Sequence, residues 1–207
     1  MDMSGWRTTK STIQASQGGS WRTGAEPPSL EAVQKRVEEE LDHQKSGSAG
    51  TNGARAGTLL SPECIDLDVS ASTNEDLVAI AGALFHRAYG LSASKVSERL
   101  WRRERRQTTA LGYGVALPHA DICGLRRPAA AFLRCREPLD FAAPDRQPVS
   151  DVLILMVPRP ASTRHFDLLA YYHSLLLNVL FRQKLGACAD ESAVWRLFER
   201  HECRWRL

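Results

Sequence analysis

Three residues of this chain have types and surroundings suited to chemistry, and the first is His119. It closes the run Leu111-Gly112-Tyr113-Gly114-Val115-Ala116-Leu117-Pro118-His119. Two glycines lead into a short apolar strand that should stop at Pro118. Proline has no backbone donor and holds φ near one value, and it pushes the preceding Leu117 toward an extended conformation. His119 is therefore expected at a strand end on a stiff backbone. An imidazole held that way is a candidate nucleophile, proton shuttle or metal ligand. A core or loop histidine that satisfies a hydrogen bond is the plainer alternative, but packing does not require the flanking Gly-x-Gly and Pro.

His165 is the second. It is expected in the first turn of a helix that follows an apolar strand. Helix N-termini favour anions and disfavour an imidazolium, so a neutral histidine would sit beside an anion-binding site. Arg103 is the third. Val96, Leu100 and Arg103 fall at i, i+4 and i+7, so Arg103 should face the protein, whereas Arg99, Arg102 and Arg106 are expected to point away. A guanidinium directed inward suits phosphate through its planar fork, unless it forms a structural salt bridge with Glu104 or a nearby Asp. A metal site is disfavoured. His119, Asp121 and Cys123 alternate, and His165 and His173 could lie nearby, but no zinc-type spacing is present. Neither a nucleophile elbow nor a phosphate or dinucleotide fingerprint occurs.

The elements that must position these residues begin near Ser61. Ile65, Leu67 and Val69 alternate with Asp66 and Asp68, which predicts a half-buried strand. Ser72 and Glu75 have capping-box spacing, Leu77, Ile80, Leu84 and Ala88 mark one helical face, and Gly90 is a fitting stop. A second helix is expected over about 94–106. Strands are expected over 114–117, 129–135, 139–141 and 151–157, with Pro144-Asp145-Arg146 as a turn. The last strand is continuously apolar, as one covered on both faces would be. A long helix from Ser162 or Thr163 should carry Phe166, Leu168, Leu169, Tyr172, Leu175, Leu176 and Val179, with one or two short helices after it. The fold class is α/β: a mixed central sheet of about five strands flanked by helices.

Residues 1–60 are rich in Ser, Gly, Thr and Gln, and are expected to be a flexible tail with one short helix over about 29–44. A single globular domain is expected over 61–204. A net charge of +3 is too small to argue for nucleic acid. Five scattered cysteines without a Cys-x-x-Cys pair suggest a reducing compartment. No run has the length of a membrane span or the pattern of a signal peptide, so the expected location is cytoplasmic, without stable membrane insertion.

The pattern resembles the enzyme IIA domain of the bacterial phosphoenolpyruvate-dependent phosphotransferase system, in its fructose/mannitol/nitrogen-regulatory class. Its nitrogen-regulatory branch is the nearest. Arg103-Glu104, Thr109 and Leu111 through His119 are similar to the segment around that family's phosphorylated histidine. Phe141 through Val149 is similar to its hairpin, and His165-Phe166-Asp167-Leu168-Leu169 to the segment of its second active-site histidine. Tyr113, where a small polar residue is common, and Phe166, in place of a leucine, depart from the pattern. The resemblance covers about 61–202. It implies that His119 accepts a phosphoryl group from an HPr-like carrier and that His165 and Arg103 orient and stabilise it. It also implies regulatory target proteins or a IIB component as partners, and no cofactor. A sugar-specific IIA that feeds a separate IIB shares these motifs.

Overall fold

The computed structural model describes residues 59–202. The first 58 residues, including the expected tail and its helix, lie outside the described residues, as do 203–207. The chain runs β1 (Leu60–Val69), α1 (Asn74–Tyr89), α2 (Ala93–Glu104), β2 (Ala110–Gly112), β3 (Val115–Ala116), β4 (His119–Ile122), β5 (Ala129–Leu139), β6 (Val149–Pro158), α3 (Thr163–Leu177), α4 (Val179–Gly186) and α5 (Glu191–Glu202). The six strands form one mixed sheet in the order β1-β5-β6-β3-β2, with β4 also paired to β6.

Alternation along the central strand builds two cores. Val152, Ile154 and Met156 join Leu77, Ala81, Phe85, Val96 and Leu100 under α1 and α2. Leu153 and Leu155 join Leu168, Tyr172, Leu176, Phe181 and Phe198 under α3, α4 and α5. β6 is apolar on both faces because helices cover both.

The sheet has one strand more than expected, and the reason lies at Pro118. β3 and β4 both pair parallel with β6, at Val115↔Asp151 and at His119↔Leu155. The register is the same on both sides of the proline, and Pro118 O accepts from Leu155 N at 2.9 Å. Proline withholds a donor but keeps its acceptor, so the strand pauses at Leu117 and resumes. His119 therefore opens a strand rather than trailing one. β2 was not expected as a strand, and Leu139 belongs to the long β5 rather than to a separate strand.

Other boundaries move for local reasons. The α1 capping box uses Thr73 and Asp76, not Ser72 and Glu75. Thr73 Oγ1 accepts from Asp76 N at 3.1 Å, and Asp76 Oδ2 accepts from Thr73 N at 2.9 Å. Gly90 ends α1 in the left-handed region at φ 67°. α2 ends at Glu104, two residues short of expectation, where Glu104 turns its carboxylate onto Thr109 N at 2.9 Å. The expected long helix breaks at Asn178, whose Oδ1 accepts from Phe181 N at 3.0 Å and starts α4, so Val179 begins a new helix. The turn ahead of β3 is held by Asp145, which accepts from Tyr113 N at 2.6 Å. Gly112 (φ 87°) meets that carboxylate, and an added Cβ there would lie 3.0 Å from Asp145 Oδ2.

α2 is seated by a close helix contact at Gly82. A Cβ there would stand 2.6 Å from the Ala93 carbonyl oxygen and closer still to Ser97 Oγ. Backbone cannot yield as a side-chain tip can. Gly82→Ala is expected to destabilise the protein by about 1–3 kcal/mol in denaturant unfolding. Gly186→Ala, with nothing within 4 Å of its Cβ, is expected to cost nothing. Equal stabilities for the two variants would show that α1 and α2 are not in this contact.

Candidate functional site

Among the described residues β4 pairs only with β6, and α2 packs against it. Alternation turns Ala120 and Ile122 to the α1/α2 core. His119 and Asp121 share the other face of the strand. Between α2, β4 and the start of α3 lies a cavity of about 400 Å³. Arg99, Arg102, Arg103, Arg106, His119, Asp121 and His165 supply its polar lining, and Leu155, Val157, Phe166 and Leu169 its apolar wall. Two imidazoles and a guanidinium far apart in sequence thus meet in one pocket.

The hydrogen bonds define what each ring offers. His119 Nδ1 lies 3.0 Å from Leu117 O, which only accepts, so Nδ1 carries the proton. The lone pair is left on Nε2, which accepts from Arg103 Nε at 3.3 Å. Burial is the main cause that lowers the His119 pKa, to about 4; the Leu117 carbonyl opposes this and Arg103 adds to it. At neutral pH His119 is an uncharged base with a directed Nε2 lone pair. His165 has the opposite tautomer. Its Nδ1 accepts from Ser162 N at 2.9 Å, so the neutral ring carries its proton on Nε2. Burial lowers its pKa too. One ring can attack an electrophile while the other donates to it.

Arg103 is anchored by NH1 on Gln107 O at 2.9 Å. It does not pair with Glu104, which is bound to Thr109. The other arginines of α2 and the turn after it divide into two groups. Arg99 is half-buried against Asp121 instead of turning away, whereas Arg102 and Arg106 are exposed, as expected, and still border the cavity. Arg99 and Arg103 fall at i and i+4 and share one flank of α2, and that flank faces β4. Arg99 donates Nε to Asp121 O at 2.9 Å and NH2 to Asp121 Oδ1, while Arg159 Nε stands 3.6 Å from Oδ2. The His119/Asp121 alternation and the Arg99/Arg103 spacing were the signals for this clamp. Phe166, on α3 as expected, is 54% exposed at the cavity wall.

Among the described residues no group of three or more His, Cys, Asp or Glu could hold a metal ion. Cys123 is exposed on the turn after β4, and His173 is absent from the cavity lining. No described helix is long and apolar enough to cross a membrane.

A mixed sheet with helices on both faces and an arginine-lined histidine pocket at a one-sided strand defines a class, and comparison with known proteins gives it a family. Residues 58–201 match the family described as phosphoenolpyruvate-dependent sugar phosphotransferase system, EIIA 2, and the chain belongs to it. Among its relatives is the nitrogen regulatory protein of Bradyrhizobium diazoefficiens, 33% identical over 137 residues, which are 66% of this chain and 90% of that one. A fructose-specific EIIA component of Haloferax volcanii is 30% identical over 144 residues, with 66% and 90% covered. The crystal structure of the nitrogen regulatory protein IIA-Ntr from Neisseria meningitidis superposes with a TM-score of 0.64 at 34% identity, covering 68% of this chain and 96% of that one.

The pKa of His119 has a consequence in acid. It lies below the ordinary 6.5, so the neutral ring is the form the fold favours. The stability this contributes is present in full above about pH 6.5 and is lost as the pH falls toward about 4. An NMR titration is expected to show the His119 ring neutral until the midpoint near 4, and His119→Gln should remove this part of the acid sensitivity. A His119 midpoint at the ordinary 6.5 would mean that the ring is solvated.

Proposed function

We propose that the chain is a phosphohistidine transfer protein of the nitrogen-regulatory branch, with His119 as the acceptor and His165 and Arg103 as the groups that orient and stabilise the phosphoryl. The observation that carries this is the pair of opposite tautomers: a lone pair on His119 Nε2 and a proton on His165 Nε2, facing one cavity. Phosphoryl transfer asks little covalent chemistry of a protein and depends on positioning and charge stabilisation.

The donor is an HPr-like carrier bearing phosphohistidine. The His119 Nε2 lone pair forms the new P–N bond. The carrier's P–N bond breaks, and its electron pair stays on the carrier's ring nitrogen. No proton need leave His119, because its N–H is on Nδ1 and stays bonded to Leu117 O. Arg103 gives up its contact with Nε2 and donates to the phosphoryl oxygens, joined by His165 Nε2–H. The charge acquired can then change what binds the pocket mouth, so that the phosphorylation state is read by target proteins. The branch is supported by the similarity to nitrogen regulatory proteins along most of their length. The fructose-specific relative keeps a IIB component of a sugar system as the second reading of the same transfer.

Incubation with phosphoenolpyruvate, enzyme I and carrier is expected to label wild-type protein and not His119→Ala. Arg103→Ala and His165→Ala should each slow labelling by about 10²–10³ while leaving the fold intact, as expected when one charge-stabilising donor is removed. Label that survives His119→Ala would refute the assignment. Restored sugar uptake in a strain lacking its fructose IIA would favour the second reading.

A further inference from the structure

A phosphoryl group on His119 would share its cavity with a carboxylate. Among the described residues that line the cavity, Asp121 is the one acidic side chain. It stands two residues beyond His119 on β4, and alternation puts both on the same face of the strand. Two residues of strand advance by about 6.6 Å. Four residues of helix, from Arg99 to Arg103, advance by about 6 Å. The two spacings match, so α2 and β4 meet in two adjacent rungs. Arg103 Nε donates to His119 Nε2 at 3.3 Å in one, and Arg99 NH2 donates to Asp121 Oδ1 in the next.

Fastening α2 to β4 does not require that carboxylate. Arg99 Nε already donates to the Asp121 backbone oxygen at 2.9 Å, a bond that any residue at this position could accept. The side chain adds something else. Its Oδ1 holds Arg99, and Arg159 Nε stands 3.6 Å from its Oδ2. Asp121 thus occupies two guanidinium groups that could otherwise serve as counter-ions for a phosphoryl on His119. Its own charge also repels a phosphoryl group, which carries about −1.5 to −2 at neutral pH. Both effects weaken the hold on that group. Four arginines line the cavity, and a transfer protein must still release what it accepts.

We infer that Asp121 sets the phosphoryl-transfer equilibrium of His119: its carboxylate, held by Arg99 and Arg159 one rung away, lowers the affinity of the site for the phosphoryl group and so favours passing it on. This deepens the assignment of His119 as phosphoryl acceptor and rests on it. Transfer exchanges one P–N bond for another. The carrier's P–N bond breaks and leaves its electron pair on the carrier's ring nitrogen, while the His119 Nε2 lone pair forms the new bond; the return step reverses both. Asp121 touches no reacting atom. It is a positioning residue that acts through its charge and through the guanidinium groups it detains.

The test measures that equilibrium, with the full chain and an HPr-like carrier phosphorylated on its histidine. Phosphorus NMR at neutral pH reads the ratio of phosphorylated chain to phosphorylated carrier. Asp121→Asn, which keeps the shape and removes the charge, is expected to move the ratio about tenfold toward the chain at low salt, the order set by a like charge about 7 Å away. The shift should shrink as salt screens it. Asp121→Glu, which keeps the charge, should stay within about threefold of wild type. Thermal unfolding followed by circular dichroism reports stability separately. If Asp121→Asn folds and leaves the ratio unchanged, or moves it toward the carrier, the inference is overturned, and lost stability with an unmoved ratio makes the pair a structural fastener. If Asp121→Glu moves the ratio as far as Asp121→Asn does, shape and not charge is responsible, and the inference fails in that case too. Should Asp121→Asn not fold, Arg159→Gln decides, because its side chain is 55% exposed and its loss leaves Asp121 less neutralised. The ratio is then expected to move about threefold toward the carrier, and no movement overturns the inference. Failure of wild-type protein to accept label on His119 from both the carrier and phosphoramidate would instead remove the acceptor assignment, and this inference with it.

Discussion

The parallel pairing of Val115 through Ile122 with β6 is the constraint on which the site depends. The register holds from Val115↔Asp151 to Ile122↔Pro158, although Pro118 interrupts the donors on one strand. Because the pairing resumes, His119 enters the pocket from a fixed point of the sheet, opposite Leu155, and not from a loop. Ahead of the proline, Leu117 O meets the histidine ring two residues later. One backbone arrangement thus fixes the place of His119, its tautomer and the direction of its lone pair.

Electrostatics follow from that placement. A histidine beside a guanidinium and largely out of water has two reasons to be neutral, burial being the larger. Burial lowers the His165 pKa too, and Ser162 N donates to its Nδ1 at the helix entrance. The positive charge in the pocket therefore sits on arginines, whose charge does not titrate. Asp121, on the same strand face as His119, brings a negative charge close to the site, and Arg99 and Arg159 hold it. The pocket keeps a cationic mouth and uncharged rings, a combination suited to an incoming anion that must be attacked rather than merely bound.

The helices serve this arrangement unequally. α2 is pressed onto α1 at Gly82, where no Cβ fits, and this seats Arg103 beside β4. Glu104 turns back to Thr109 N, so the chain leaves α2 directly toward β2 and the turn that Asp145 holds. α3 instead begins at the pocket, with His165 in its first turn and Leu168 and Tyr172 driven into the second core.

The sequence alone determined the fold class, the α1 stop at Gly90, the continuously apolar β6 and the three residues proposed for the chemistry, because these follow from local periodicity, glycine and proline stereochemistry and side-chain type. It was silent on what depends on a partner distant in the chain. Pro118 read as a terminator because only β6 supplies the donor that lets pairing continue through its carbonyl. Arg99 read as an outer arginine because the free side of β4, which turns that flank of α2 into a pocket wall, is not encoded in helical arithmetic. Phe166 was expected on its helix, but the cavity wall it forms exists only where α3 starts beside β4. Tautomers and the Asp121 clamp were decided by tertiary structure, since hydrogen bonds and charge pairs form between atoms that meet only when the sheet is assembled.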